Sequence, residues 1–220
     1  MLILGLDTAT AVTTVALAEI EGGRCSVLVE RDHVDPRRHG EVLPVQIDAV
    51  LADAGVSPQE LGLVAVGTGP GAFTGLRVGL ATASAMGLAL EIPVHGVCTL
   101  DTLAWATGRT TPFAVATDAR RRELFWALYD DAATRRGEPM VGATDAAAES
   151  TRTLAVVVPR GTPLVEGLVD VVEGAPPQAA ALCALVSHRM GLGLAPEPAH
   201  PRYLRRPDVT PSSGPKSVLR

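Results

Sequence analysis

The sequence predicts an α/β protein of two units, each a mixed sheet flanked by helices. Three observations carry this. The opening residues alternate apolar runs with tight-turn signals, which gives three strands in an antiparallel meander. Strand and helix patterns then alternate, which adds parallel strands and covering helices. A second series of short apolar strands starts near Thr110.

The first strand covers residues 2–6 and ends in Asp7, residues 8–12 turn, and residues 13–18 return as the second strand. Gly22-Gly23 marks a hairpin into a third strand near 25–30. Leu43, Ile47, Val50, Leu51 and Ala54 recur at helical spacing, which predicts a helix over 39–54 with Pro44 in its first turn and Gly55 as its stop. Ser57-Pro58-Gln59-Glu60 reads as a capping box with Pro at the first helical position. Residues 63–66 form a buried fourth strand, and the loop Gly-Thr-Gly-Pro-Gly-Ala-Phe-Thr-Gly from Gly67 leads to a helix over 74–90. Residues 93–97 are a fifth strand, and Thr99 caps a helix through Ala106. In the second unit, strands 113–117 and 123–129 flank the hairpin Asp-Ala-Arg-Arg-Arg at 118–122. Strands at 154–158 and 168–172 and a helix over 177–190 follow. Beyond Pro196 the chain is Pro-rich and extended. The division is therefore 1–107, 108–199 and a basic tail, 200–220.

Composition excludes several chemistries. Of the 220 residues 19 are basic, and Lys216 is the only lysine among them. A Walker-A phosphate loop needs a lysine at its apex, and lysine general-base or Schiff-base chemistry needs one in the body of the fold. Cys25, Cys98 and Cys183 are an odd, widely spaced set with no disulfide framework or CxxC motif. That usage fits a reducing, cytoplasmic setting. No signal peptide is evident at Met1–Asp7, and the charge-free run 78–90 is short for a membrane span. The net charge is −5. Residues 200–220 carry +4 and residues 1–199 carry −9, so only the tail has the sign to meet a phosphate backbone.

The glycine loop between strand and helix lets the backbone approach closely, and before a helix N-terminus it is able to hold an anion. Gly69-x-Gly71 lacks the third glycine of a dinucleotide fingerprint, since Thr74 stands there. A tight strand-to-helix turn is the competing reading. Asp7, Thr8 and Thr10 at the end of the first strand are candidate metal–phosphate contacts, or else a local Asx turn. In the following helix Gly75, Gly79, Ala83 and Gly87 form a small-residue stripe, while Leu76, Val78, Leu80, Met86, Leu88 and Leu90 make it apolar all round. Glycine costs about 1 kcal/mol against alanine inside a helix, so the stripe predicts a close compensating contact. A partner protein covering the side away from the sheet is the expectation, shared with Leu43, Ile47 and Val50 of the preceding helix. His95, Cys98 and Asp101 offer a nucleophile, a base and an orienter only superficially, because triad members come from distant segments. No histidine pair has metal-ligand spacing.

Gly-Pro-Gly-Ala-Phe-Thr-Gly-Leu-Arg-Val-Gly from Gly69, the opening Leu-Gly-Leu-Asp-Thr-Ala-Thr, Val-Asp-Pro-Arg-Arg-His-Gly-Glu-Val-Leu-Pro, the pair around Asp118–Asp130 and the late Pro-Arg-Tyr-Leu-Arg together resemble the bacterial TsaB (YeaZ) family. The resemblance implies an actin-like (ASKHA, RNase H-like) fold of two subdomains. It implies a non-catalytic relative of TsaD, because Thr99 and Leu103 stand where TsaD carries its metal-binding histidine pair, and neither replaces imidazole. The implied role is a scaffold that pairs with TsaD and, with the ATPase TsaE, supports tRNA threonylcarbamoyladenosine formation. The implied interface comprises Leu43, Ile47, Val50, Gly75, Leu76, Gly79, Leu80, Ala83 and Gly87, shared with a competing homodimer. No cofactor of its own is expected; ATP or ADP and metal belong to the partners. Ala72 replaces a serine common in the family's loop, which weakens a phosphate reading of Gly69 and Gly71. A stand-alone ATP-dependent phosphotransferase or hydrolase built on Asp7 and the glycine loop is the alternative. Arg202, Arg205 and Arg206 are candidate tRNA contacts within an assembly that otherwise meets tRNA indirectly.

Overall fold

A computed structural model describes residues 1–160, 162–163 and 167–205. Two five-stranded mixed sheets repeat one plan. In the first, β1 (Leu2–Asp7), β2 (Val12–Glu21), β3 (Arg24–Val34), β4 (Leu61–Gly67) and β5 (Val94–Val97) take the order β3-β2-β1-β4-β5. In the second, β6 (Phe113–Asp118), β7 (Glu123–Asp131), β8 (Thr134–Ala143), β9 (Ala155–Pro159) and β10 (Val171–Gly174) take the order β10-β9-β6-β7-β8. Each meander is antiparallel, and each later strand joins parallel to its sheet's first strand or to the strand beside it.

The helices are α1 (His39–Ala54), α2 (Phe73–Leu90), α3 (Thr99–Ala106), α4 (Thr144–Thr151) and α5 (Ala179–Gly191). α1 and α2 cover one face of the first sheet, where Leu43, Val50, Leu76 and Leu80 pack on Leu4, Leu6, Val15 and Val64. Ile3, Ala18, Leu63 and Ala65 point to the other face and meet Leu182, Leu185 and Val186 of α5. α3 packs on the second sheet through Leu100 and Leu103. The two inner helices therefore cross over: α3, from the first half of the chain, covers the second sheet, and α5 covers the first. They also touch each other, with Trp105 and His188 ring centroids 4.7 Å apart. The strands of the two sheets come from separate stretches of the chain, Leu2–Val97 and Phe113–Gly174, while the helices that cover their inner faces are exchanged.

The strand and helix expectations hold with small shifts, and two elements are additional. β8 is a polar edge strand with Pro139 within it, and its ladder with β7 is interrupted by register shifts. α4 has a polar, Ala-rich sequence with little apolar periodicity. Thr99 does not cap α3: Cys98 holds the N-cap position, and the Thr99 hydroxyl turns to Asp7. Ser57 does cap a single 3-10 turn, Pro58–Glu60, with a complete capping box.

The inner helices are tied by Asp101, which is buried and accepts hydrogen bonds from the Tyr129 hydroxyl (2.9 Å), Arg135 (2.7 Å) and Arg189 (2.7 Å). Burial, with Asp101 beside it, pushes the Tyr129 phenol well above its usual range. Asp101→Ala leaves two largely buried guanidinium groups without their carboxylate. That is expected to cost about 3–5 kcal/mol, read as a lower urea midpoint with an unchanged slope.

Candidate functional site

The C-terminal ends of β1 and β4 meet the start of α2, and the glycine loop lies between them. Thr8 is the pivot. Its hydroxyl donates to Gly75 O (2.7 Å) and accepts from Gly79 N–H (3.0 Å), so one side chain clasps two turns of helix backbone. A Cβ at Gly79 would stand 2.6 Å from that hydroxyl, and one at Gly75 would stand 2.7 Å from Thr8 O and 3.0 Å from His39. At Gly87 it would overlap Val94 of β5. The compensating contact predicted from the small-residue stripe is thus the chain's own first sheet.

This corrects the expected interface. Leu43, Ile47, Val50, Gly75, Leu76, Gly79, Leu80, Ala83 and Gly87 are all buried within the chain. They point to the sheet, so none offers a free surface. α1 and α2 instead expose the complementary stripe: Pro44, Val45, Asp48 and Ala52 on α1, with Thr74, Arg77, Ala81, Ala85 and Leu88 on α2. Val45 is 66% exposed and Leu88 84%. Beside Val45 an open groove of about 620 Å³ runs between α1 and β3, lined by Arg31, His33, Glu41, Val42 and Gln46 among others. Gln46 is buried, and its Oε1 has no hydrogen-bond partner among the described residues.

The candidate phosphate groups are engaged internally. Asp7 is 1% exposed; its Oδ1 accepts from Ala9 N–H (2.7 Å) and its Oδ2 from the Thr99 hydroxyl (2.8 Å). Thr10 Oγ1 accepts from Val12 N–H. Gly69 has φ +84°, a left-handed conformation that glycine adopts freely, and its carbonyl accepts from Thr99 N–H. Gly71 passes so close to Ala9 O that a Cβ would overlap it, and Ala72 N–H donates to the same carbonyl. His39, at the start of α1, shares a 2.7 Å hydrogen bond with Thr13, and burial lowers its pKa. Its part in holding α1, β2 and α2 together is one the sequence reading missed. Cys98 is buried, and its thiol is pushed up to about 12 by burial and by Asp101. Asp101 gives its oxygens to Tyr129, Arg135 and Arg189, so it does not orient His95. Among the described residues no three His, Cys, Asp or Glu side chains converge to hold a metal. α2 is apolar and long enough to cross a membrane by length and composition, yet one face of it is built into this core.

The segment after α5 docks as a strap. Gly96 N–H donates to Glu197 O, Arg202 N–H to Thr68 O, and the Arg202 side chain pairs with Glu197 and Glu138. Arg77 lies over the Phe73 ring at 3.8 Å and donates to the Tyr203 hydroxyl at 2.7 Å. Arg205 donates to Ala119 O and pairs with Glu123. Arg206 falls outside the described residues.

Comparison with known proteins agrees with this architecture. The family model described as TsaD: tRNA N6-adenosine threonylcarbamoyltransferase matches residues 33–171. An uncharacterized protein of Mycobacterium leprae is 42% identical over 212 residues, 96% of this chain and 56% of that protein. The tRNA threonylcarbamoyladenosine biosynthesis protein TsaB of Escherichia coli is 36% identical over 132 residues, 59% of this chain and 55% of that protein. The chain thus spans little more than half the length of each. YeaZ from Pseudomonas aeruginosa superimposes with a TM-score of 0.75 at 29% identity, covering 92% of this chain and 99% of that one.

Burial pushes the Asp7 carboxyl up from 3.8 to about 6, against the lowering effect of its hydrogen bonds from Ala9 and Thr99. The folded chain therefore holds this proton more tightly than the unfolded chain. Stability falls as pH rises from about 4 through about 6, by roughly 3 kcal/mol in all. Asp7→Asn is expected to flatten that slope and to exceed the parent's stability by about 1–3 kcal/mol near neutral pH, with the two equal near pH 4. Urea unfolding at both pH values checks it.

Proposed function

Because the chain belongs to the TsaD family, in the branch that holds TsaB (YeaZ), we propose that it is a non-catalytic scaffold in tRNA threonylcarbamoyladenosine biosynthesis. It pairs with a TsaD-like catalytic subunit and supports a TsaE-like ATPase. The observation that carries this reading is the exposed apolar stripe on the two neighbouring helices α1 and α2, centred on Val45, Ala81, Ala85 and Leu88. An exposed apolar patch on adjacent helices is a protein-docking feature. The groove beside Val45 extends that face. In the partner's absence the same stripe closes on a second copy of the chain.

The interior supports the non-catalytic part of the reading. Asp7 and Thr8, the side chains with the chemistry to hold a metal–phosphate group, are spent on Ala9, Thr99, Gly75 and Gly79. Nucleotide and metal, on this reading, sit in the partner subunits, and tRNA is modified by the assembly.

Val45→Glu and Ala81→Arg place a charge on the stripe without touching the core. Each is expected to weaken pairing with the catalytic subunit at least tenfold in co-purification and calorimetry, with the circular dichroism of the isolated chain unchanged. Gly79→Arg, by contrast, is expected to unfold the chain, since its side chain would run into Thr8. Reconstituted tRNA modification should require the parent chain and fail with Val45→Glu. Full pairing and full modification with both surface variants would refute the scaffold reading.

A further inference from the structure

The β6–β7 hairpin is unlike the β1–β2 turn that occupies the same place in the first sheet. Its tip is Arg120, Arg121 and Arg122, with φ of 64°, 56° and 60°. Three consecutive side-chain-bearing residues in the left-handed region are unusual, because each brings its Cβ against the following carbonyl. Glycine would adopt that geometry more easily, yet all three positions carry long cations. The turn is fixed by Asp118 Oδ1, which accepts from Arg120 N–H, and by Glu123 N–H, which donates to Arg120 O. All three arginines are exposed, and the Arg120 side chain is 70% exposed.

The strap brings further cations to the same end of the molecule. Arg205 lies on the hairpin's flank, bonded to Ala119 O and paired with Glu123. Two residues earlier Tyr203 holds Arg77, so chain geometry places the strap's two anchor points within about 7 Å of backbone. Asp118 and Glu123 are the hairpin's carboxylates, and each is engaged by an arginine. Arg120, Arg121, Arg122 and Arg205 thus gather at one end of a chain whose net charge is −5.

We propose that the β6–β7 hairpin, with Arg120, Arg121 and Arg122 at its tip and Arg205 on its flank, is a contact surface for the phosphate backbone of an RNA. This rests on the tRNA-modification reading above and adds a direct contact to it. A row of guanidinium forks on a fixed turn suits successive phosphates, which each accept two N–H groups. The contact positions the RNA and reads no bases.

The test uses the chain reconstituted with its catalytic subunit and an unmodified tRNA transcript, with affinity measured across a salt series. The variant R120Q/R121Q/R122Q is expected to bind at least tenfold more weakly at low salt, and its slope of log affinity against log salt should fall by about 2–3, as loss of three phosphate contacts requires. R120K/R121K/R122K keeps the charge and should keep most of that slope. The charge-matched control R24Q/R136Q/R152Q removes three exposed arginines from the opposite ends of the sheets and should change affinity less than threefold. An unchanged slope in the hairpin variant, an equal loss in the control, or no RNA affinity in the parent would overturn the proposal. Subunit pairing is read on the same samples by gel filtration. Loss of pairing with RNA affinity retained would make the hairpin a protein contact and also overturn it. Should the parent fail to pair, the scaffold reading falls, and the hairpin is scored on the chain alone with the same transcript.

Discussion

Everything at the glycine-loop end of the first sheet depends on how closely α2 approaches β1. Thr8 reaches into the helix and bonds backbone groups of Gly75 and Gly79, a contact that any side chain at those positions would block. The glycines weaken α2 as a helix. What offsets them is a dry, fully bonded clasp between the helix and the end of a central strand, where each satisfied polar group contributes about 1 kcal/mol and each orphan would cost more. With α2 held so near, the loop before it has no room except against the β1–β2 turn. Gly71 and Ala72 therefore lie on Ala9, and Asp7 is sealed under Gly67.

That sealing links fold to role. An acidic side chain at the end of a first strand, beside a glycine loop and a helix start, has the makings of a metal–phosphate site. Here the carboxylate turns inward to Thr99, joining β1 to α3. The same geometry that closes the interior leaves Val45 on α1 and Ala81, Ala85 and Leu88 on α2 exposed among the described residues. The polar side chains at this end of the sheet are thus turned to the chain's own backbone and hydroxyls.

Much of this was legible in the sequence where local rules govern. α1 begins and ends at the residues its apolar spacing and Gly55 indicate, and α2 differs by one residue. The capping box at Ser57 forms as written. β8 escaped notice because an edge strand needs few apolar residues, and α4 because a short polar helix shows little period. The side to which the small-residue stripe turns was misjudged for a different reason. A stripe of small residues announces that some backbone comes close, without saying whose; the sheet behind α2 and a partner in front of it leave the same mark. Position in three dimensions decided it, as it did for Thr99, which turned to Asp7 rather than to its own helix, and for Arg202 and Arg205, whose carboxylate and carbonyl partners lie far away along the chain.

The crossing of α3 and α5 has a consequence for how the molecule comes to exist. The first sheet is complete by Val97, but the helix that covers its inner face ends at Gly191. During synthesis Ile3, Leu63 and Ala65 must wait for nearly the whole chain to emerge before they are shielded from water. At bacterial-type elongation of about 5–20 residues per second that is a delay of several seconds, with an apolar sheet face open to other nascent chains. The protein is therefore not two modules in series. Its N-terminal half is a client of its C-terminal half, and neither is expected to survive as a separately expressed fragment.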